Sequence, residues 1–349
     1  MSITNLEQLS KILTLKEDEK EWRETGPSLS MLISDNVLSV MDKDDPDDPI
    51  RREFVPTKYE NITSKESIDP LREVEHSKTE RLIHRYHNRA ALLVTSRCYA
   101  YCRHCFRRRF TSNDDGKITK EELDEAAGYL REHTGIKEVL LTGGDMFTLS
   151  DEEIDRLLGG LKEAREDIIY RLCTRALFSA PERFTPALMS IIKKHMHGAP
   201  FLLMCQFNHP RELNDKAVKA VSAFVDMGIP AFNQAVLLEG VNDDVDTLEE
   251  LSNKLLYNRI KPYYLFQGDM VDGTAHLRCS LKKGLEIEKE LRKRLSGVAM
   301  PQYTIDLPEG GGKVILTENY VIGLKDGLWQ IKSPFQGKRD YPEKDESAI

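Results

Sequence analysis

Six apolar runs of strand length recur along the middle of the chain. They are AALLVTS (90–96), EVLLTGG (138–144), IIYRLC (168–173), FLLMCQF (201–207), AFNQAVLL (231–238) and PYYLFQG (262–268). Amphipathic helical patterns separate them. Several of these open with a residue that can cap a helix and an acid three positions on: Thr119 with Glu122, Ser150 with Glu153, Asp246 with Glu249. Strand and helix in strict alternation specify parallel βαβ units. Right-handed crossovers then curl the sheet into a barrel or part of one. The expected fold is α/β, a partial (β/α)6 barrel.

In such barrels chemistry collects where the strands end. Cys98-Tyr-Ala-Tyr-Cys102-Arg-His-Cys105 follows the first run and Thr142-Gly-Gly-Asp145 closes the second. Arg175 follows the third, Gln206-Phe-Asn-His-Pro210 the fourth, Asn233-Gln234 lies within the fifth, and Gln267-Gly-Asp269 follows the sixth. Three of the six cysteines of the chain thus fall within one short loop. A disulfide among them would close a very small ring. Zinc would want a fourth ligand, and His104 lies awkwardly between two of the cysteines. Three thiolates suit an iron–sulfur cluster with one iron left open, where a substrate or cosubstrate can bind. Gly143-Gly144 alone is only a turn signal. PEGGGKV (308–314) sets Lys313 behind three glycines, which let backbone approach a bulky group. It is not a phosphate-binding P-loop, because Leu307 and Val314 stand where that motif needs Gly and Ser/Thr.

Residues 1–84 read as a mostly helical extension, 85–300 as the barrel core, and 301–349 as a C-terminal segment. That segment holds a β-like run, KVILTENYVIGL, and a polar, frayed end, KRDYPEKDESAI. The acidic stretch MDKDDPDDPIRREF (41–54) reads as a solvated connector. A net charge of −8 without a concentrated basic stretch speaks against a general nucleic-acid binder. No apolar run is long enough to span a membrane, and the N-terminus lacks the pattern of a signal peptide. The cysteine usage is not that of a secreted disulfide framework. A soluble cytoplasmic protein is expected, with Cys173, Cys205 and Cys279 as buried structural thiols.

The Cys-x3-Cys-x2-Cys spacing after the first strand of a βα barrel resembles the radical S-adenosylmethionine (SAM) superfamily. A longer series resembles the lysine 2,3-aminomutase family: IHRYHNR (83–89), CRHCFRRRF (102–110), LTGGD (141–145), FNHP (207–210), NQAVLLEGVND (233–243), KPYY (261–264) and EGGGK (309–313). The resemblance implies a radical SAM barrel with a [4Fe–4S] cluster on Cys98, Cys102 and Cys105. SAM would bind the open iron, with Gly143, Gly144, Asp145, Gln206 and Gln234 around it. Pyridoxal 5′-phosphate (PLP) would be carried by Lys313 as the catalytic lysine, its phosphate anchored by Arg85, Tyr86 and Arg89. Arg107 would receive the substrate carboxylate, and Asp269 and Asp306 the side-chain ammonium.

The implied enzyme is an isomerase that interconverts L-lysine and β-lysine by 1,2-amino migration, started by a 5′-deoxyadenosyl radical. It would take its electron from a flavodoxin- or ferredoxin-type donor and form a homo-oligomer, with no nucleic-acid or membrane partner. Two carboxylates facing one cation offset its desolvation and would repel glutamate. Arginine and ornithine, which also end in a cation, stay open. So do an enzyme making β-lysine for attachment to a translation elongation factor and a PLP-free radical SAM maturase. Two departures stand out. Asp244 occupies the place of a cysteine that clostridial-type members use for zinc, and no C-terminal cysteine follows, so no zinc is expected. Gln206 stands where the family has a histidine.

Overall fold

The computed structural model describes residues 2–26, 28–62, 66–111, 116–335 and 337–343. Its main sheet opens with a hairpin, β1 (Leu82–Tyr86) antiparallel to β2 (Arg89–Thr95). From β2 onward each strand lies parallel to the one before: β3 (Glu138–Gly143), β4 (Ile169–Thr174), β5 (Phe201–Cys205), β6 (Ala231–Leu237), β7 (Ile260–Gln267) and β8 (Gln302–Leu307). β9 (Gly312–Ile315) returns antiparallel along β8, so the spatial order of the sheet is its sequence order. The sheet curls into a partial barrel.

Parallel neighbours need long connections, and helices supply them. Four short helices precede the sheet: α1 (Leu6–Ser10), α2 (Glu17–Lys20), α3 (Asp35–Val40) and α4 (Pro49–Phe54). The crossovers carry α5 (Lys120–Glu132), α6 (Asp151–Ala164), α7 (Ala176–Ser179), α8 (Pro186–Lys194), α9 (Asp215–Val225), α10 (Val245–Tyr257) and α11 (Leu281–Arg294). α6 shows the logic. Ile154, Leu157, Leu158 and Leu161 recur at helical spacing and are fully or almost fully buried. Each contributes about 2 kcal/mol by leaving water. Ser150 and Glu153 close a reciprocal capping box at its start, as Thr119 and Glu122 do for α5. The third expected cap is displaced. Asp244, not Asp246, is the last extended residue before α10 and accepts from the Thr247 amide (2.8 Å). Asp246 falls in the first turn and pairs with Arg294.

All six apolar runs form strands. A seventh parallel strand, β8, lies in the segment read as a tail. Its sequence, QYTIDL, is too polar to announce a core strand; Tyr303, buried and bonded to Gln267 (2.5 Å), holds it in place. The run 313–324 splits into β9 and β10 (Val321–Lys325). β10, β11 (Leu328–Lys332) and β12 (Lys338–Pro342) form a separate antiparallel sheet. The end of the chain is therefore paired rather than frayed as far as Pro342, while 344–349 lie outside the described residues.

The acidic stretch is a solvated connector only over 42–47, which are exposed. Asp48 caps α4 and is completely buried, and Ile50, Arg51, Glu53 and Phe54 point inward. Arg51 forms a buried ion pair with Glu19 (2.6 Å). Among the described residues no helix is long and apolar enough to cross a membrane.

Candidate active site

The C-terminal ends of the parallel strands open into a cavity of about 390 Å3. Every residue to which the resemblance gives a cluster, cofactor or substrate role lines it. They divide into a thiol end, a lysine end and the ground between.

At the thiol end, the loop after β2 is braced from below by the N-terminal layer. Arg103 is fully buried and bonded bidentately to Glu60 (2.7 and 2.6 Å), with further bonds to the carbonyls of Leu29 and Ser30. The Arg103 amide donates to Glu53 O and the Tyr101 amide to Leu32 O (both 2.9 Å). This bracing presents Cys98, Cys102 and Cys105 to the cavity as free thiols. Burial pushes the Cys98 thiol well up and Cys102 to about 12, and the neighbouring sulfurs add to both shifts through their charge. Bare thiols would stay protonated here, so the thiolate form needs a positive centre. Among the described residues, no three His, Cys, Asp or Glu side chains are grouped to hold one metal ion. Three free thiols in one loop fit a cluster in which each cysteine binds a different iron.

Arg175 reaches these sulfurs directly. Its Nη1 donates to Cys102 Sγ (2.9 Å), and its Nη2 meets Glu53 (2.7 Å) and Glu212 (3.0 Å). Burial works against its charge, but Cys102 and the two carboxylates hold it firmly protonated. His104 turns away from the thiols, with Nε2 3.1 Å from Gln206 Nε2 and Nδ1 3.5 Å from Glu53. Burial pulls its imidazole down to about 4, so it is neutral.

The glycine pair is explained by close backbone approach. A Cβ on Gly143, whose φ is +108°, would lie 2.7 Å from Thr95 O, and one on Gly144 would lie 2.1 Å from Arg97 O. The Gly144 and Asp145 amides donate to those same carbonyls (2.6 and 2.7 Å), which ties the cysteine loop to the end of β3. The Asp145 carboxylate accepts from Thr174 Oγ1 (2.8 Å) and from the amides of Phe147, Arg175 and Ala176 (3.1, 2.8 and 2.9 Å). It joins the ends of β3 and β4. Gln234, on β6, completes this wall.

At the lysine end, Asp306 and Lys313 are direct partners across the β8–β9 ladder, and their side chains form an ion pair. The Lys313 ammonium also lies 4.5 Å from the Phe266 ring centroid and 5.9 Å from that of Tyr264. Burial lowers its pKa, while Asp306 opposes that shift. Asp269, after β7, is raised to about 7, first by burial and then by the charge of Asp306. Two carboxylates thus crowd one cation seat, and Lys313 fills it. Arg85 Nε and Nη2 are buried without a hydrogen-bond partner among the described residues. Arg89 stacks 3.8 Å over the Tyr86 ring beside it. Two guanidiniums, one with unmet buried donors, fit a phosphate.

Between the ends, Arg107 is not a free solvated arginine. Glu73 grips it, and Thr142 Oγ1 accepts from its Nη1 (2.9 Å). Nor are its neighbours solvated: Arg108 is buried against Glu60, and Arg109 pairs with Asp69 and Glu73. Cys205 and Cys279 are buried as expected, and Cys205 also lines the cavity; Cys173, at the end of β4, lines it too and is only half-buried. Sequence reasoning missed Glu53, Glu73 and Glu212. Each is an isolated acid in an irregular or helical stretch, with no spacing signal. Their only trace is the count of arginines on the rim, which need partners once buried.

The radical SAM superfamily model matches residues 92–251 and the lysine-2,3-aminomutase model residues 287–338. The chain is 40% identical over 322 residues to L-lysine 2,3-aminomutase of Clostridium subterminale, covering 92% of this chain and 77% of that one. It is 38% identical to L-lysine 2,3-aminomutase of Bacillus subtilis (98% and 72% covered). It is 39% identical to glutamate 2,3-aminomutase of Clostridioides difficile (92% and 75% covered). Cysteine loop, glycine pair and lysine strand thus occur in one chain that matches these relatives over 92–98% of its length, and the protein belongs to the lysine 2,3-aminomutase family of radical SAM enzymes.

Proposed function

We propose that the protein is a PLP-dependent radical SAM 2,3-aminomutase acting on L-lysine. One observation carries the choice of lysine over glutamate: Asp269 and Asp306 meet at the cavity's lysine end, and the ammonium of Lys313 rests on Asp306. A seat that draws a primary ammonium onto two carboxylates suits the ε-ammonium of lysine. It repels the side-chain carboxylate of glutamate, which would bring a third negative charge into a buried site.

The residues divide the work. Cys98, Cys102 and Cys105 would hold the [4Fe–4S] cluster. The Gly143-Gly144-Asp145 segment, Gln206 and Gln234 would line the SAM site. Lys313 would carry PLP, and Arg85, Tyr86 and Arg89 would hold its phosphate. Together these groups supply a hydrogen-abstracting radical and an electron sink that stabilises unpaired spin. The chain does the rest. Arg107 fixes the α-carboxylate and the Asp269/Asp306 pair fixes the far ammonium, so the substrate is held at both ends with its β-carbon between them. Desolvation lowers the pKa of the Lys313 amine, which favours its nucleophilic form. Engaging Lys313 also frees Asp306 for the substrate. The buried walls keep water from the reaction.

An electron donor of flavodoxin or ferredoxin type and a cytoplasmic setting complete the proposal. So does a homo-oligomer, supported by the exposed apolar side chains Val321, Ile322, Leu324 and Leu328 on the C-terminal sheet. The extension, core and C-terminal segment are proposed as units at 1–84, 85–300 and 301–349, although the main sheet itself runs from Leu82 to Ile315. The test is an anaerobic assay of reconstituted protein with SAM, PLP and a reductant. Lysine, arginine, ornithine, glutamate and alanine are offered separately, with products read by chiral mass spectrometry. β-Lysine alone is expected; β-glutamate would overturn the assignment.

A further inference from the structure

Glu73 is a cavity residue that no motif accounts for. It lies in an irregular segment that lends Leu71 and Glu73 to the cavity wall. That segment is pinned on both sides: the Asp272 amide donates to Ser67 O and the Glu309 amide to Pro70 O (both 3.2 Å). The Glu73 side chain is only 8% exposed. It accepts from Arg107 Nε (2.9 and 3.1 Å to its two oxygens) and from Arg107 Nη2 (2.8 Å). A further bond comes from Arg109 Nη2 (3.2 Å), and Arg109 is itself held by Asp69 (3.4 Å). Thr142 takes one N–H of Arg107 Nη1. A guanidinium has five N–H groups. These contacts fix its Nε/Nη2 edge and leave one N–H on each terminal nitrogen for a ligand in the cavity.

We propose that Glu73 is the positioning residue of the carboxylate seat, locking the Arg107 guanidinium so that its remaining N–H groups meet the α-carboxylate of the substrate. The proposal rests on the reading of Arg107 given above. Two effects of Glu73 oppose each other. Its negative charge weakens the attraction of Arg107 for a second carboxylate. Its bidentate grip removes the freedom of a long side chain and keeps it from the Asp269 carboxylate, with which Arg107 already interacts. The grip outweighs the charge. A released Arg107 would drift toward the cation seat, where Asp269 and Asp306 outnumber the one substrate carboxylate.

The readout is discrimination between lysine and lysinamide, which keeps both amines and lacks the carboxylate charge. Affinities are measured by calorimetry on the anaerobic holoenzyme without SAM. The wild type is expected to prefer lysine. Glu73→Ala lowers that preference about tenfold, and Glu73→Gln, which keeps the shape and one acceptor oxygen, lowers it less. In an Arg107→Met background, Glu73→Ala changes the ratio no further, because its effect passes through the guanidinium. A purely structural role would weaken both ligands alike and leave the ratio intact. If Glu73→Ala does not yield folded protein, Glu73→Gln carries the test. A wild-type ratio retained or enlarged in the Glu73 variants overturns the proposal alone. A wild type that does not distinguish the two ligands overturns the reading of Arg107 and the proposal with it.

Discussion

At the scale of single residues, the site is governed by charge. Lys313 and Asp306 are register partners, so the strand ladder itself delivers the amine to the carboxylate. Asp269 then stands beside a second carboxylate, and burial together with that neighbour raises it to about 7. The raised value sets a pH dependence. Below about 7 Asp269 binds a proton and the cation seat loses one charge. Lysine affinity, measured by calorimetry, should therefore fall roughly tenfold per unit as the pH drops below about 7, and flatten about a unit above it. Asp269→Asn should remove that dependence. It should also raise the KM for lysine roughly 30- to 100-fold, the loss of about 2–3 kcal/mol for a hydrogen bond to a charged group. These residues were legible because each sits in a motif. Glu53, Glu73 and Glu212 were not, because a carboxylate that partners a buried arginine carries no spacing of its own. Only the folded chain shows which acid reaches which guanidinium.

At the scale of elements, hydrophobic period and capping chemistry specified strands β2–β7 and the starts of α5 and α6. They failed where tertiary contacts override local pattern. β8 is polar in sequence and becomes a strand because Tyr303 is buried and because β7 offers an unpaired edge. α4 reads as a charged connector and becomes a buried helix because Asp48, Arg51 and Glu53 all find partners. The glycine pair belongs to this scale too. Gly144 is required by the Arg97 carbonyl pressed against its α-carbon. Gly144→Ala must push the cysteine loop away from β3. We expect a cost of at least about 1–3 kcal/mol, as for overpacking. Iron bound per chain after reconstitution should fall well below that of the wild type, measured by metal analysis beside a thermal melt.

For the molecule as a whole, the N-terminal layer does more than cover the barrel. Glu60, with no exposed surface, holds Arg103 and Arg108 on either side of Cys105. Removing one member of such a buried pair leaves charge unpaired and costs about 3–5 kcal/mol. Glu60→Gln should lower the melting temperature by several degrees and loosen the cysteine loop together with it, a joint effect that circular dichroism and cluster absorbance can follow. The barrel was legible from the sequence as an alternation of strands and helices. The dependence of its cysteine loop on residues some forty positions earlier was not, because nothing in the spacing of Glu60 or Glu53 links them to Cys102.

The central claim is that two carboxylates at one end of the cavity choose a substrate by its ammonium. It is tested most directly by comparing lysine with 2-aminoheptanoate, in which a methyl group replaces that ammonium. The quantity is the ratio of their kcat/KM values in the wild type and in the Asp269→Asn/Asp306→Asn variant. The account predicts a wild-type preference for lysine of at least about a hundredfold, falling close to one in the double variant. A wild type indifferent to the ammonium, or a double variant that keeps the preference, would contradict it.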